Sequence, residues 1–122
     1  MSDDARPMPT VRENTDASRY EISFGRELAG YTEYERRGET YALIHTEIHS
    51  RFEGKGLAST LTAHVLDDLG ARRIPVLPYC PFVRSYLTKH PEYVALVPAD
   101  RRERFGLPLD RPPATEGTVS AG

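Results

Sequence analysis

The chain has 122 residues, 39% hydrophobic and 28% charged, with sixteen basic against eighteen acidic residues and a net charge of −2. That is the size and composition of one ordinary globular domain, which excludes a wholly disordered chain, and the charge balance offers no broad attraction for nucleic acid or anionic lipid. No apolar run approaches the roughly 20 residues that cross a bilayer, and MSDDARPMPT lacks a basic leader followed by an apolar stretch, so no membrane association and a cytoplasmic location are expected.

Residues 1–19 are polar and without period, and the chain from Pro98 onward is rich in Arg, Pro, Gly, Ser and Thr. Both are expected to be disordered tails, 1–19 and 98–122, around a core at 20–97. A core of roughly 80 residues buries only modest surface, so a ligand or a second copy would matter to its stability; monomer and homodimer are both open. Tyr20, Ile22 and Phe24 alternate with polar residues at the period of a half-buried strand. Leu28–Tyr34 and Thr40–His49 read as two further strands, joined by a hairpin turn in which Gly38 supplies positive φ.

The pattern then lengthens. Leu57, Leu61, Val65 and Leu69 recur every fourth residue, with Ala58 and Leu66 widening the stripe, as for an amphipathic helix over 55–69 with Asp67 and Asp68 facing water. Ile74–Tyr79 is too short for a helix and is broken by Pro75 and Pro78, which predicts an edge strand. Pro81 suits the first turn of a second helix, Phe82, Val83, Tyr86 and Leu87 give it an apolar face, and Pro91 bars its continuation. Glu92–Val97 is expected to be a final strand. The predicted fold is a mixed α/β (α+β) domain: an antiparallel meander followed by helix, strand and helix.

Chemistry concentrates in Arg51-Phe52-Glu53-Gly54-Lys55-Gly56-Leu57-Ala58, where two glycines stand between a strand and a helix. Glycine there lets the backbone approach a ligand, and the N–H groups of a first helical turn bind phosphate oxygens. Lys55 would add a charge and Ser59 and Thr60 hydroxyl donors. A Walker loop is excluded by His49 and Gly56 at positions that require glycine and Ser/Thr, and a dinucleotide fingerprint by Ser59 in place of its third glycine.

Arg51, Gly54 and Gly56 fill the pattern Arg/Gln-x-x-Gly-x-Gly/Ala and so resemble the acyl-coenzyme A loop of the GCN5-related N-acetyltransferase family. With His45-Thr46-Glu47, Pro78-Tyr79-Cys80-Pro81-Phe82-Val83, Tyr86 and His90-Pro91-Glu92-Tyr93, residues 20–97 are similar to a small stand-alone subgroup with a reduced form of that fold. The resemblance implies acetyl-coenzyme A as co-substrate, held by the backbone of Gly54, Lys55, Gly56, Leu57, Ala58 and Ser59. Its pantetheine would run between the Thr40–His49 and Ile74–Tyr79 strands, with Arg51 ordering the loop or meeting a phosphate. An unidentified amine is implied as acceptor.

The same resemblance places Cys80 beside the acyl sulfur. As an acid Cys80 would protonate the departing thiolate, as a nucleophile it would carry the acetyl group, and as a lone cysteine it could equally be a small buried hydrophobe. An amine must lose a proton to react, and His45 and Glu47, on one face of the strand before the loop, are the candidate bases. His45 and His49 stand ~13 Å apart on a strand, which argues against a metal. Two other readings remain: a non-catalytic acyl-coenzyme A-binding module, and a structural domain with a chance glycine loop.

Overall fold

In the computed structural model, which describes residues 9–107, the strands form one sheet whose spatial order is the chain order. They are β1 (Pro9–Asn14), β2 (Arg19–Phe24), β3 (Glu27–Arg37), β4 (Thr40–Ile48) and β5 (Val76–Pro78). The first four pair antiparallel, and β5 joins β4 in parallel, Tyr41 opposite Val76 and Leu43 opposite Pro78. A parallel neighbour demands a crossover, and helix α1 (Leu57–Ala71) provides it; α2 (Pro81–Lys89) follows β5.

The meander, the crossover helix, the short edge strand and the second helix lie where the sequence places them. Gly38, at φ +63°, turns the β3–β4 hairpin. Helix α1 begins two residues later than its apolar period suggests, because Gly54 and Gly56 hold left-handed angles of +83° and +73° that no helix continues.

Two expectations are corrected. Residues 9–14, read as part of a tail, form β1, fixed by Glu13, whose carboxylate accepts bonds from the Tyr34 and Tyr41 hydroxyls and from Arg72. A short polar edge strand has no hydrophobic period to betray it; its partner groups lie far along the chain. Glu92–Val97 is not a strand, since Pro91–Leu96 forms a 3-10 helix. Residues 98–107 continue as 3-10 turns, and Phe105 packs edge-on against Tyr79, their centroids 5.2 Å apart. Residues 15–18 form the turn into β2, which begins at Arg19, and positions 1–8 and 108–122 of the two expected tails lie outside the described residues.

The core lies between the helices and one face of the sheet. Tyr20, Ile22, Thr32, Tyr34 and Leu43 meet Leu61, Val65, Leu66 and Leu69 of α1 and Val83 and Leu87 of α2, all buried. Burying such side chains contributes about 1.5–3 kcal/mol each. Asp68 is half-buried rather than turned to water, accepting from Tyr20 and Arg72. The register sets Arg19, Glu33 and His45 in one row, and Glu21, Tyr31 and Glu47 in the next, on the opposite face of the sheet.

Candidate active site

The β4–β5 ladder ends early, and that early end makes the site. Its last backbone bond runs from the Cys80 N–H to the Leu43 carbonyl, 2.8 Å, while β4 continues to Ile48. At the same point β4 carries an unpaired residue, Ile44, because Glu33 pairs with His45 but Tyr34 with Leu43. A bulge of this kind bends a strand and interrupts its pairing. Beyond it His49 donates to Ala29 of β3, 2.7 Å. By alternation, the backbone groups of Thr46 and Ile48 turn from β3 toward the edge that β5 leaves open.

Gly30 brings β3 unusually close to this stretch. A Cβ there would stand 2.3 Å from the Glu47 carbonyl oxygen and 2.6 Å from Ile48 Cδ1, so only glycine fits.

The start of α1 opens beside this edge. Its cap is Gly56, which has no side chain to offer, and its first turn contains no acidic residue. The first intrahelical bond is from the Thr60 N–H to the Gly56 carbonyl, 3.1 Å, so the N–H groups from Gly56 to Ser59 precede the helical ladder. A Cβ on Gly54 or Gly56 would meet nothing within 4 Å. Backbone donors, the positive end of a helix and unobstructed approach together suit a phosphate. Gly54, Gly56, Leu57, Ala58 and Ser59 border a depression of about 290 Å³ that Ile48 and Phe82 close on the other side. Phe82 is a large apolar side chain left exposed at 37%.

Cys80 lies one strand step further along. It caps α2, is 2% exposed, and donates its thiol hydrogen to Thr46 Oγ1 at 3.4 Å. Thr46 is in turn 3.0 Å from the Thr32 hydroxyl. Thr32 and Thr46 face each other in the β3–β4 register, a pairing that the sequence shows only once the register of the hairpin is known. The α1 start, the Ile48–Phe82 depression and the Cys80–Thr46 pair thus follow one another along the unpaired edge of β4.

The remaining candidates fall elsewhere. Arg51 is 69% exposed in its side chain, pairs with Glu27 of β3 at 2.9 Å and stacks over Phe52, so it ties the loop to the sheet. Lys55 is exposed beside the loop, and no ion pair holds it among the described residues. His45 and Glu47 are on the open face, 3.3 Å from each other, where the Tyr31 hydroxyl also reaches Glu47. Partial burial and the adjacent Glu47 and Glu33 raise the Tyr31 hydroxyl above its ordinary pKa. The structure therefore sets the glycine loop at the Ile48–Phe82 depression and the buried Cys80 beside Thr46 further along the same edge of β4, with His45 and Glu47 behind β4 from Cys80.

Among the described residues no helix is long and apolar enough to cross a membrane, and no three metal-ligating side chains converge. A family model described as GCN5-related N-acetyl-transferase matches residues 19–96. No curated protein matches the chain.

Proposed function

The chain belongs to the GCN5-related N-acetyltransferase family, and from that premise we propose that it is an N-acetyltransferase whose acyl donor is acetyl-coenzyme A. The observation that carries the proposal is the uncapped α1 start opening onto a depression beside the free edge of β4, the same edge on which Thr46 accepts from the Cys80 thiol. In this reading the N–H groups from Gly56 to Ser59 hold the pyrophosphate, with Lys55 alongside. The Thr46 and Ile48 backbone pairs with the pantetheine amides, and Phe82 covers the arm. The thioester then lies at Cys80.

The acceptor approaches from the open face through the gap beyond Leu43 and Cys80. Its nitrogen attacks the thioester carbonyl carbon and the carbon–sulfur bond breaks. The departing thiolate takes the Cys80 proton, and the ammonium proton passes to His45 or Glu47 through water. The proton bound there returns to Cys80 by way of solvent, which closes the cycle. His45 and Glu47 stand half exposed on that face, which fits an amine displayed on a larger body.

Thermal shift with acetyl-coenzyme A and with coenzyme A tests the donor site. At a concentration 100 times Kd, binding adds about 2.7 kcal/mol, and Gly56→Asp should abolish the shift. Absence of any shift in the wild-type protein would overturn the reading. The rival, a non-catalytic acyl-coenzyme A-binding module, draws support from the position of His45 and Glu47 behind β4. A Cys80→Ala protein that keeps its coenzyme shift but loses turnover excludes that rival.

A further inference from the structure

Helix α1 ends in a Schellman motif: Ile74 N–H reaches the Leu69 carbonyl at 2.9 Å, and Arg73 N–H the Gly70 carbonyl at 3.1 Å. The residue after the cap of such a motif takes a left-handed conformation and is ordinarily glycine. Here it is Arg73, at φ +60°. A side chain kept where its own backbone is strained points to a use for that side chain.

Arg73 borders a cleft of about 380 Å³ at the end of the sheet where the β3–β4 hairpin turns, remote from the start of α1. Arg36, Gly38, Tyr41 and Arg72 also line it. The Arg36 and Arg72 guanidinium carbons each lie 5.8 Å from the Tyr41 ring centroid, so both cations gather about one aromatic floor. Arg72 is neutralised by Glu13 and Asp68. Arg36 and Arg73 have no ion pair among the described residues. Glu39 at the rim is the one carboxylate of the cleft, besides Glu13, that could oppose them.

We propose that this cleft is a second ligand site, binding a small phosphate-type oxyanion between Arg36 and Arg73, with Arg72 and Tyr41 as its floor. Planar guanidinium forks match the oxygens of phosphate, so Arg36 and Arg73 meet the anion's charge, while Arg72, already paired with its two carboxylates, gives the floor a fixed position and no net charge. The site is independent of the acyl donor groove and does not rest on the acetyltransferase reading.

The test is a nuclear magnetic resonance titration of the full chain with inorganic phosphate, at constant ionic strength against chloride. Saturable shifts are expected at the Gly38, Arg72, Arg73 and Ile74 amides. Arg73→Gly should melt several degrees above wild type, because strain is relieved, and yet bind phosphate at least tenfold more weakly. Arg36→Gln should weaken binding similarly, and Glu39→Gln should strengthen it. Shifts confined to Gly54–Ser59, a response that never saturates, or unchanged affinity in Arg73→Gly would each overturn the proposal.

Discussion

Cys80 and Thr46 face each other across the point where the β4–β5 ladder stops, thiol to hydroxyl at 3.4 Å. The bond joins the residue that caps α2 to the strand whose free edge borders the groove. Replacing Thr46 by Val removes the acceptor while keeping the shape. Turnover should fall as the thiol loses its orientation, whereas coenzyme affinity stays within a factor of about 3, a difference under 1 kcal/mol. Cys80→Ala should cost little stability, since Thr46 retains Thr32 as a partner. Enzyme assay together with thermal shift separates the two effects.

Gly54 and Gly56 should respond differently to alanine and to aspartate. Alanine meets no atom at either position, so its cost is the left-handed backbone alone, about 1–2 kcal/mol. For a domain of this size that is a loss of several degrees in Tm. Gly56→Asp adds a carboxylate at the anion end of α1, and calorimetry with coenzyme A should show binding lost rather than merely weakened.

Gly30→Ala is a steric test of the seam between β3 and β4. Its Cβ would press against backbone at the Glu47 carbonyl, which a side-chain rotation cannot relieve. Overpacking of this kind costs about 1–3 kcal/mol. The displaced strand carries Thr46 and Ile48, so urea denaturation and coenzyme binding should both report the change.

Glu13 should matter far more than an exposed edge-strand carboxylate normally does. Glu13→Ala leaves two tyrosine hydroxyls and Arg72 without their common acceptor. A loss of about 2–4 kcal/mol is expected in chemical denaturation, compared with under 1 kcal/mol for an exposed pair.

Several tyrosines should resist titration while the fold holds. Burial raises Tyr20 and Tyr34 far above the ordinary phenol range, aided by Asp68 and Glu13 respectively. A hydrogen bond to Asp67 pushes Tyr93 up to about 12. A folded pKa above the unfolded value of about 10 means that the native state keeps protons the unfolded chain would release. Their contribution is therefore complete below about pH 10 and is lost as pH rises through the folded values. Denaturation between pH 9 and 12 should show stability falling, and phenolate absorbance should appear in step with unfolding.

The order of elements was legible because apolar period reports burial directly: Leu57, Leu61 and Val65 read as a helix face, and Tyr20 and Ile22 as a strand face. The glycine loop was legible because Gly54 and Gly56 carry backbone angles that few other residues accept. What escaped was made by pairs distant in sequence. Glu13 gives no sign of the hub it forms with Tyr34, Tyr41 and Arg72, and the role of Thr46 depends on Cys80, thirty-four positions away. The facing of His45 and Glu47 on one side of β4 followed from alternation. Their separation from Cys80 did not, because it depends on the register that sets Thr46, not His45, on the helical side.

The sheet follows the order of the chain, and this has a consequence for how the molecule comes apart. Three of its four seams close over short turns between neighbours in sequence. The fourth requires the chain from Ile48 to Val76 to go out and return, and it is held by the short β5. Loop closure is therefore costliest, and strand pairing briefest, at the seam that ends at Cys80. Partial opening begins there while the meander stays whole, so hydrogen exchange at β5 and α2 should outrun that at β2 and β3. A molecule lodged across the gap would act as a clamp on the domain's loosest joint, and its departure would be felt as a loosening of the whole second half of the chain.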